Sequence, residues 1–144
     1  MEISRAVASL LQEDVISVES GATVSEAVAT MIQKSVRNIF VKDKGVPVGL
    51  IRDWDIVRRV VASKLNPETV KVDEIMCTPV ASVSADAELS EIAAVMAETG
   101  ARRILVVEDG KLLGTITAGS LLNTVSHFPD RNTREALRSI AGLK

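Results

Sequence analysis

The stretch Gly49-Leu50-Ile51-Arg52-Asp53-Trp54-Asp55 decides how the chain is read. Residues 46–51 form a short apolar run of strand character. From Asp53 to about Ala62, Ile56, Val57, Val60 and Val61 fall at helical spacing and are expected to form a buried face. The stretch is thus a strand-to-helix junction. Sixty-five residues on, the junction returns as Gly114-Thr115-Ile116-Thr117-Ala118-Gly119-Ser120.

Upstream of the first junction, residues 38–42 read as a strand, and Asp43-Lys44-Gly45 as the tight turn joining it to residues 46–51 in a hairpin. Before that, Thr23 and Glu26 have capping-box spacing. The helix they open carries Val24, Ala27, Val28, Met31 and Ile32 on one stripe. Residues 15–18 make a brief strand closed by Glu19-Ser20-Gly21, and residues 4–11 a short helix. Downstream, residues 63–72 are a linker with a turn at Asn66-Pro67, and residues 73–76 allow one helical turn before Thr78-Pro79. The order then restarts: strand 80–83, helix 88–98, strand 103–107, turn 108–110, strand 111–116, helix 118–125. A last helix, residues 133–141, is expected behind an Asn132 cap with Glu135 three residues on.

The restart is a duplication. Residues 15–57 lie on residues 80–122 without a gap and match at 14 of 43 positions, among them Ser17/Ser82, Val18/Val83, Glu26/Glu91, Met31/Met96, Arg37/Arg102, Gly45/Gly110 and Gly49/Gly114. One unit of β-α-β-β-α, about forty-five residues long, is too small to bury its own sheet. Two units packed face to face solve that problem. The expected fold is therefore α/β (α+β): two β-α-β-β-α repeats about a pseudo-twofold axis, with flanking helices. Its divisions are 1–66 (core 15–62), 67–126 (core 73–125) and a C-terminal helical extension, 127–144.

Composition narrows the function. At 144 residues, 47 % hydrophobic and 25 % charged, the chain reads as soluble and globular. Aromatics make up 2 %, too few for a platform that stacks single-stranded bases. The net charge of −2 is spread without a basic stripe, which argues against nucleic acid. No apolar run approaches a membrane span and no leader pattern opens the chain, so the cytoplasm is the expected location. Cys77 and His127 are the sole residues of their types, too few for a zinc site. Cys77 is read as a small, partly buried loop residue, Met31 and Met96 as core, and His127 as a helix-end or surface residue. No nucleophile–base pair or metal cluster is visible, so no enzyme is expected.

The duplicated order, the segment Asp73-Glu-Ile-Met-Cys-Thr-Pro-Val80, and the paired Gly-x-Ile-x-x-x-(Asp/Ser) junctions together resemble the tandem cystathionine-β-synthase-type (CBS) domain pair, the Bateman module. The resemblance covers residues 15–125. It implies a non-catalytic sensor that binds an adenosine-containing nucleotide in the cleft between repeats: AMP, ADP or ATP, with S-adenosylmethionine or NAD ranked behind. It also implies homodimers paired through helices, and signalling to an unidentified protein target. In such modules the junction reads Gly-x-x-Thr/Ser-x-x-Asp, its hydroxyl meeting phosphate and its Asp the ribose hydroxyls. Here the first junction, with Gly49 and Ile51, keeps Asp55 but has Arg52 at the hydroxyl position. The second keeps Thr117 but has Ser120 for the Asp. By the same resemblance, Ser17 and Val18 would offer backbone groups to adenine; Arg37, Asn38, Arg102 and Arg103, which enter the second strand of each repeat, are placed to neighbour phosphate.

The residues themselves leave a second account open. A carboxylate accepts two hydrogen bonds from a vicinal diol naturally. Asp53 and Asp55 would equally stabilise a helix start, by about 0.3–1 kcal/mol, and Arg58 or Arg59 could pair with Asp55 within the helix. Trp54 is read as a cover at a dimer face or a lid beside the ligand. The competing functional class is a structural dimerisation module whose degenerate sites bind nothing.

Overall fold

The computed structural model describes residues 2–124 together with 132, 135 and 138. Its elements are α1 (Arg5–Leu10), β1 (Ser17–Glu19), α2 (Val24–Lys34), β2 (Asn38–Asp43), β3 (Val46–Arg52), α3 (Asp53–Ile56) running into a π-helical turn (Val57–Val61), α4 (Val72–Ile75), β4 (Ser82–Val83), α5 (Leu89–Thr99), β5 (Arg103–Glu108), β6 (Lys111–Thr117) and α6 (Ala118–Asn123). They form two three-stranded sheets, β1-β2-β3 and β4-β5-β6, each a parallel pair followed by an antiparallel hairpin. The expected α+β duplication is what the chain forms. His127 and the helix expected over residues 133–141 lie outside the described residues, apart from Glu135 and Arg138. Asn132, given above as that helix's cap, is itself helical.

Local chemistry accounts for the elements. Thr23 Oγ1 accepts from the Glu26 N–H at 3.2 Å and the Glu26 carboxylate accepts from the Thr23 N–H at 3.1 Å, completing the capping box at α2. Ser4 caps α1 through the Val7 N–H at 3.0 Å. The hairpins turn on Lys44-Gly45 and Asp109-Gly110, all four residues at positive φ. That is the geometry matching the twist of two-residue hairpin loops, and the glycine at the second place makes it accessible.

The compact units do not follow the chain order of the sequence divisions. One comprises residues 15–80; the other joins the described residues of 1–14 to those from 81 onward. The segment ahead of each repeat explains this. In the first unit, Cys77 pairs with Leu50 as an added rung beside β3, and Val72 and Ile75 of α4 enter the core with Val24, Met31, Ile39, Ile51 and Val60. In the second unit, Gln12 pairs with Thr115 beside β6, and Val7 and Leu10 of α1 join Ile92, Met96, Ile104, Ile116 and Leu121. Both methionines are core residues, as expected. Gly49 and Gly114 lie under these added rungs: a Cβ on Gly49 would enter the Met76 side chain, and one on Gly114 would meet the Gln12 carbonyl.

Two expectations need correction. Ile32, placed on the buried stripe of α2, is 73 % exposed. Val57 and Val61, placed on the buried face after Asp53, are exposed, while Val60 is buried. After α3 the backbone bonds span five residues, with the Ala62 N–H on Val57 O and the Leu65 N–H on Val60 O, both at 2.9 Å. The wider turn rotates side chains out of the 3.6-residue period on which the face was read.

Candidate functional site

The first junction is built by the end of the hairpin ladder. Asn38 opposite Arg52 is its last rung, and the Asp53 N–H donates to the Arg37 carbonyl at 2.9 Å, turning the chain from strand to helix. Asp55, in the first turn of α3, folds back on the strand end and is fully buried. Its Oδ2 accepts from the Arg52 N–H at 2.9 Å and from Arg52 Nε at 3.1 Å, and its Oδ1 accepts from Arg52 Nη2 at 3.1 Å. Cys77 Sγ lies 3.5 Å from Oδ2 and accepts from Arg52 Nη2 at 3.7 Å. Arg58 Nη2 stands 3.7 Å from Oδ1.

Burial alone would push the Asp55 carboxyl up, but the hydrogen bonds from the Arg52 side chain and backbone outweigh it and hold the pKa below the ordinary value. The hydrogen bonds to Asp55 raise the Arg52 guanidinium in turn, against its partial desolvation. The result is a bidentate, charge-assisted pair with one carboxylate buried and the guanidinium side chain 38 % exposed.

In the other unit, the corresponding junction uses weaker groups. Thr117 caps α6 by accepting from the Ser120 N–H at 3.2 Å, and its hydroxyl donates to Ser120 Oγ at 3.0 Å. Ser120 Oγ also accepts from Gln12 Nε2 at 3.4 Å. Arg103 is half-buried; desolvation lowers its pKa, and its Nη1 donates to Thr115 Oγ1 at 3.2 Å. Arg102 is exposed, its carbonyl accepting from the Ala118 N–H as Arg37 does from Asp53.

The first unit therefore brings Asn38, Arg52 and Asp55 to one strand end. Ser17 and Val18 lie on β1, with β2 between them and the junction. Gly49 and Ile51 are buried in β3, Gly49 beneath Met76. Arg37 is exposed, its guanidinium 3.9 Å from Asp53. Of the two helical partners expected for Asp55, Arg58 approaches it, whereas Arg59 donates to the Ile75 carbonyl at 3.3 Å. Cys77 was read only as a half-buried loop residue, which it is, but it also closes the carboxylate's surroundings. Its signal lay in the duplication: the same sixty-five-residue shift that relates the junctions pairs Cys77 with Gln12, the residue beside Ser120.

Ile32 of α2, Trp54 of α3, Val57 and Val61 of the π turn and Leu65 beyond it are exposed. An apolar groove of 410 Å³ is lined by Val28, Ile32, Val36, Ile56 and Val57 together with Arg37 and Asp53. Among the described residues, no helix is long and apolar enough to cross a membrane, and no cluster of three or more His, Cys, Asp or Glu could hold a metal ion.

The CBS domain model matches residues 7–62 and again residues 72–127. An uncharacterised protein of Methanopyrus kandleri is 33 % identical over 83 % of the chain. The chain spans 62 % of that relative's length and 49 % of that of an uncharacterised Methanocaldococcus jannaschii relative. Among solved structures, a conserved CBS domain protein of unknown function from Thermoplasma acidophilum superposes with a TM-score of 0.76 at 27 % identity, over 92 % of this chain and 74 % of that one. A hexameric CBS-CP12 protein from bloom-forming cyanobacteria gives 0.74 at 30 % identity, over 84 % and 69 %.

Proposed function

The chain belongs to the CBS-domain family, with two copies in tandem, and from that premise we propose that it is a non-catalytic sensor whose first junction binds an adenosine-containing nucleotide, AMP, ADP or ATP. CBS pairs are in general regulatory modules for adenosine ligands. The observation that carries the reading here is Asp55: a buried carboxylate at a strand end, ionised by its surroundings, at the position from which the family holds ribose. A diol offers two donors to such an acceptor, each charge-assisted bond contributing roughly 1.5–3 kcal/mol. The second junction, with the neutral hydroxyl of Ser120 in place of a carboxylate, offers ribose a single weaker bond and ranks below the first. Ligand shifts the conformational equilibrium seen by a protein target, and by no more than its differential affinity for the two states. The cytoplasm, where nucleotides are abundant and a single cysteine such as Cys77 stays reduced, suits the role.

A second copy of the chain is the proposed occupant of the apolar face at Ile32, Trp54, Val57 and Val61. Arg37 and Asp53, 3.9 Å apart within the chain, line the groove beside Ile32 and Val57, and a twofold axis passing between them would set each against its opposite in the second copy. The cyanobacterial relative is hexameric. Val61→Glu is expected to shift the mass measured by light scattering from dimer to monomer, with the melting temperature of the monomer retained.

Calorimetric titration of AMP, ADP, ATP, NAD and S-adenosylmethionine, followed in parallel by the fluorescence of Trp54, tests the nucleotide reading. Trp54 is the only tryptophan and adjoins Asp55. Saturable binding at micromolar ligand, lost in Asp55→Ala variants that still melt cooperatively, is the expected result. Silence across the panel would leave a structural dimerisation module and make Asp55 a helix cap.

A further inference from the structure

The Asp55 carboxylate is fully buried, so neither oxygen is open to a diol as it stands. Its two oxygens accept from one backbone N–H and two guanidinium N–H groups, with Cys77 Sγ 3.5 Å from Oδ2 and Arg58 Nη2 3.7 Å from Oδ1. Of these, the bonds to the Arg52 side chain can be given up without unfolding the turn. The Arg52 N–H belongs to the backbone at the strand end, whereas its guanidinium sits on a flexible stem, partly exposed. Any ligand that donates to Asp55 must therefore displace Arg52.

We propose that Arg52 is a specificity-determining residue that makes the first junction selective for phosphorylated nucleosides. The inference rests on the nucleotide reading above. A neutral nucleoside would trade a bidentate, charge-assisted pair for two hydroxyl hydrogen bonds and leave the guanidinium without an anion. A nucleotide makes the same exchange but brings its own: the phosphate takes the guanidinium as the ribose takes Asp55, so the ion pair given up is replaced by another and the diol's hydrogen bonds to Asp55 are added. Arg52 thus acts twice, as an internal competitor that lowers affinity for every ligand and as a recovered contact for ligands carrying phosphate near the diol. A threonine, which holds the corresponding position in the other repeat as Thr117, can do only the second. The site consequently rejects free nucleosides by means of its own resting state rather than by shape.

The test is calorimetry of AMP and adenosine against the wild type, Arg52→Gln and Arg52→Ala, with thermal melting to confirm that each variant folds. The wild type is expected to bind AMP at least about tenfold more tightly than adenosine, the scale set by one charge-assisted bond. In both variants adenosine is expected to gain affinity while AMP does not, so that the ratio closes to about threefold or less. Comparable binding of the two ligands by the wild type, or a ratio unchanged in the variants, overturns the role of Arg52 and leaves nucleotide binding standing. Absence of AMP binding to the wild type and to both variants overturns the nucleotide reading and this inference together. Should neither variant fold, the wild-type ratio alone decides, since near-equal affinities are incompatible with a competitor that only phosphate can satisfy.

Discussion

At the scale of the residue, Asp55 joins fold to function, because its carboxylate both closes the first turn of α3 and is the proposed ribose acceptor. Asp55→Ala removes the acceptor of the Arg52 N–H and the partner of the guanidinium. Breaking a buried pair costs about 3–5 kcal/mol, but Arg52 is exposed enough to regain water, so a loss of about 2–4 kcal/mol in denaturant unfolding is expected. Asp55→Asn keeps an acceptor for the backbone N–H and should lose about half as much. The charge sets the pH dependence. Because the folded pKa of Asp55 lies below its unfolded value of 3.8, its contribution is complete above that value and is lost as pH falls through the depressed one. Asp73, held low by Ser20 Oγ and the Gly21 N–H, adds in the same direction. Stability measured from pH 5 down to pH 2 should therefore fall less steeply in Asp55→Asn than in the wild type; equal slopes would show that the pair does not act on the ionised form.

At the scale of the element, the strand under each added rung depends on a missing side chain. Gly49→Ala places a Cβ inside the Met76 side chain, and overpacking of this kind costs about 1–3 kcal/mol. Methionine is adaptable, and its removal opens the space, so Met76→Ala combined with Gly49→Ala should cost less than the sum of the two changes in denaturant melts. Additive losses would mean that Gly49 answers to something else. These glycines also show where the sequence was legible. Hairpins, capping box and duplication could all be read because each rests on local chemistry: Lys44-Gly45 and Asp109-Gly110 fix turns, and Thr23 with Glu26 fixes a helix start. The buried face after Asp53 was misread because periodicity assumes an α-helix, and nothing in Val57-Arg58-Arg59-Val60-Val61 announces a π turn. Asp55 and Arg52 were both singled out, but their pairing was not. The sequence assigned the carboxylate to a ligand or to helical arginines, whereas the geometry of the strand end brings the preceding arginine onto it.

At the scale of the whole molecule, each repeat is completed by a segment that does not belong to it in chain order. The second unit takes its extra rung from Gln12 and part of its core from Ala6, Val7 and Leu10. The Ser4 N–H donates to the Ala85 carbonyl at 3.0 Å and the Ser4 hydroxyl to the Ala87 carbonyl at 2.6 Å, fixing the entry of α1. Val7 and Leu10 are buried, and each such side chain contributes about 1.5–3 kcal/mol when removed from water. A chain starting at residue 15 loses both, together with the pairing beside β6, and opens the core they share with Ile104, Ile116 and Leu121. The first unit, which comprises residues 15–80, keeps every contact within it. Truncation is therefore expected to lower hydrogen-exchange protection in β5 and β6 by more than about tenfold while leaving β2 and β3 protected nearly as before. The asymmetry is the informative part. Uniform loss across both sheets would show that the two units unfold as one. Loss confined to residues near the new terminus would show that α1 is an appendage rather than the missing piece of the second repeat.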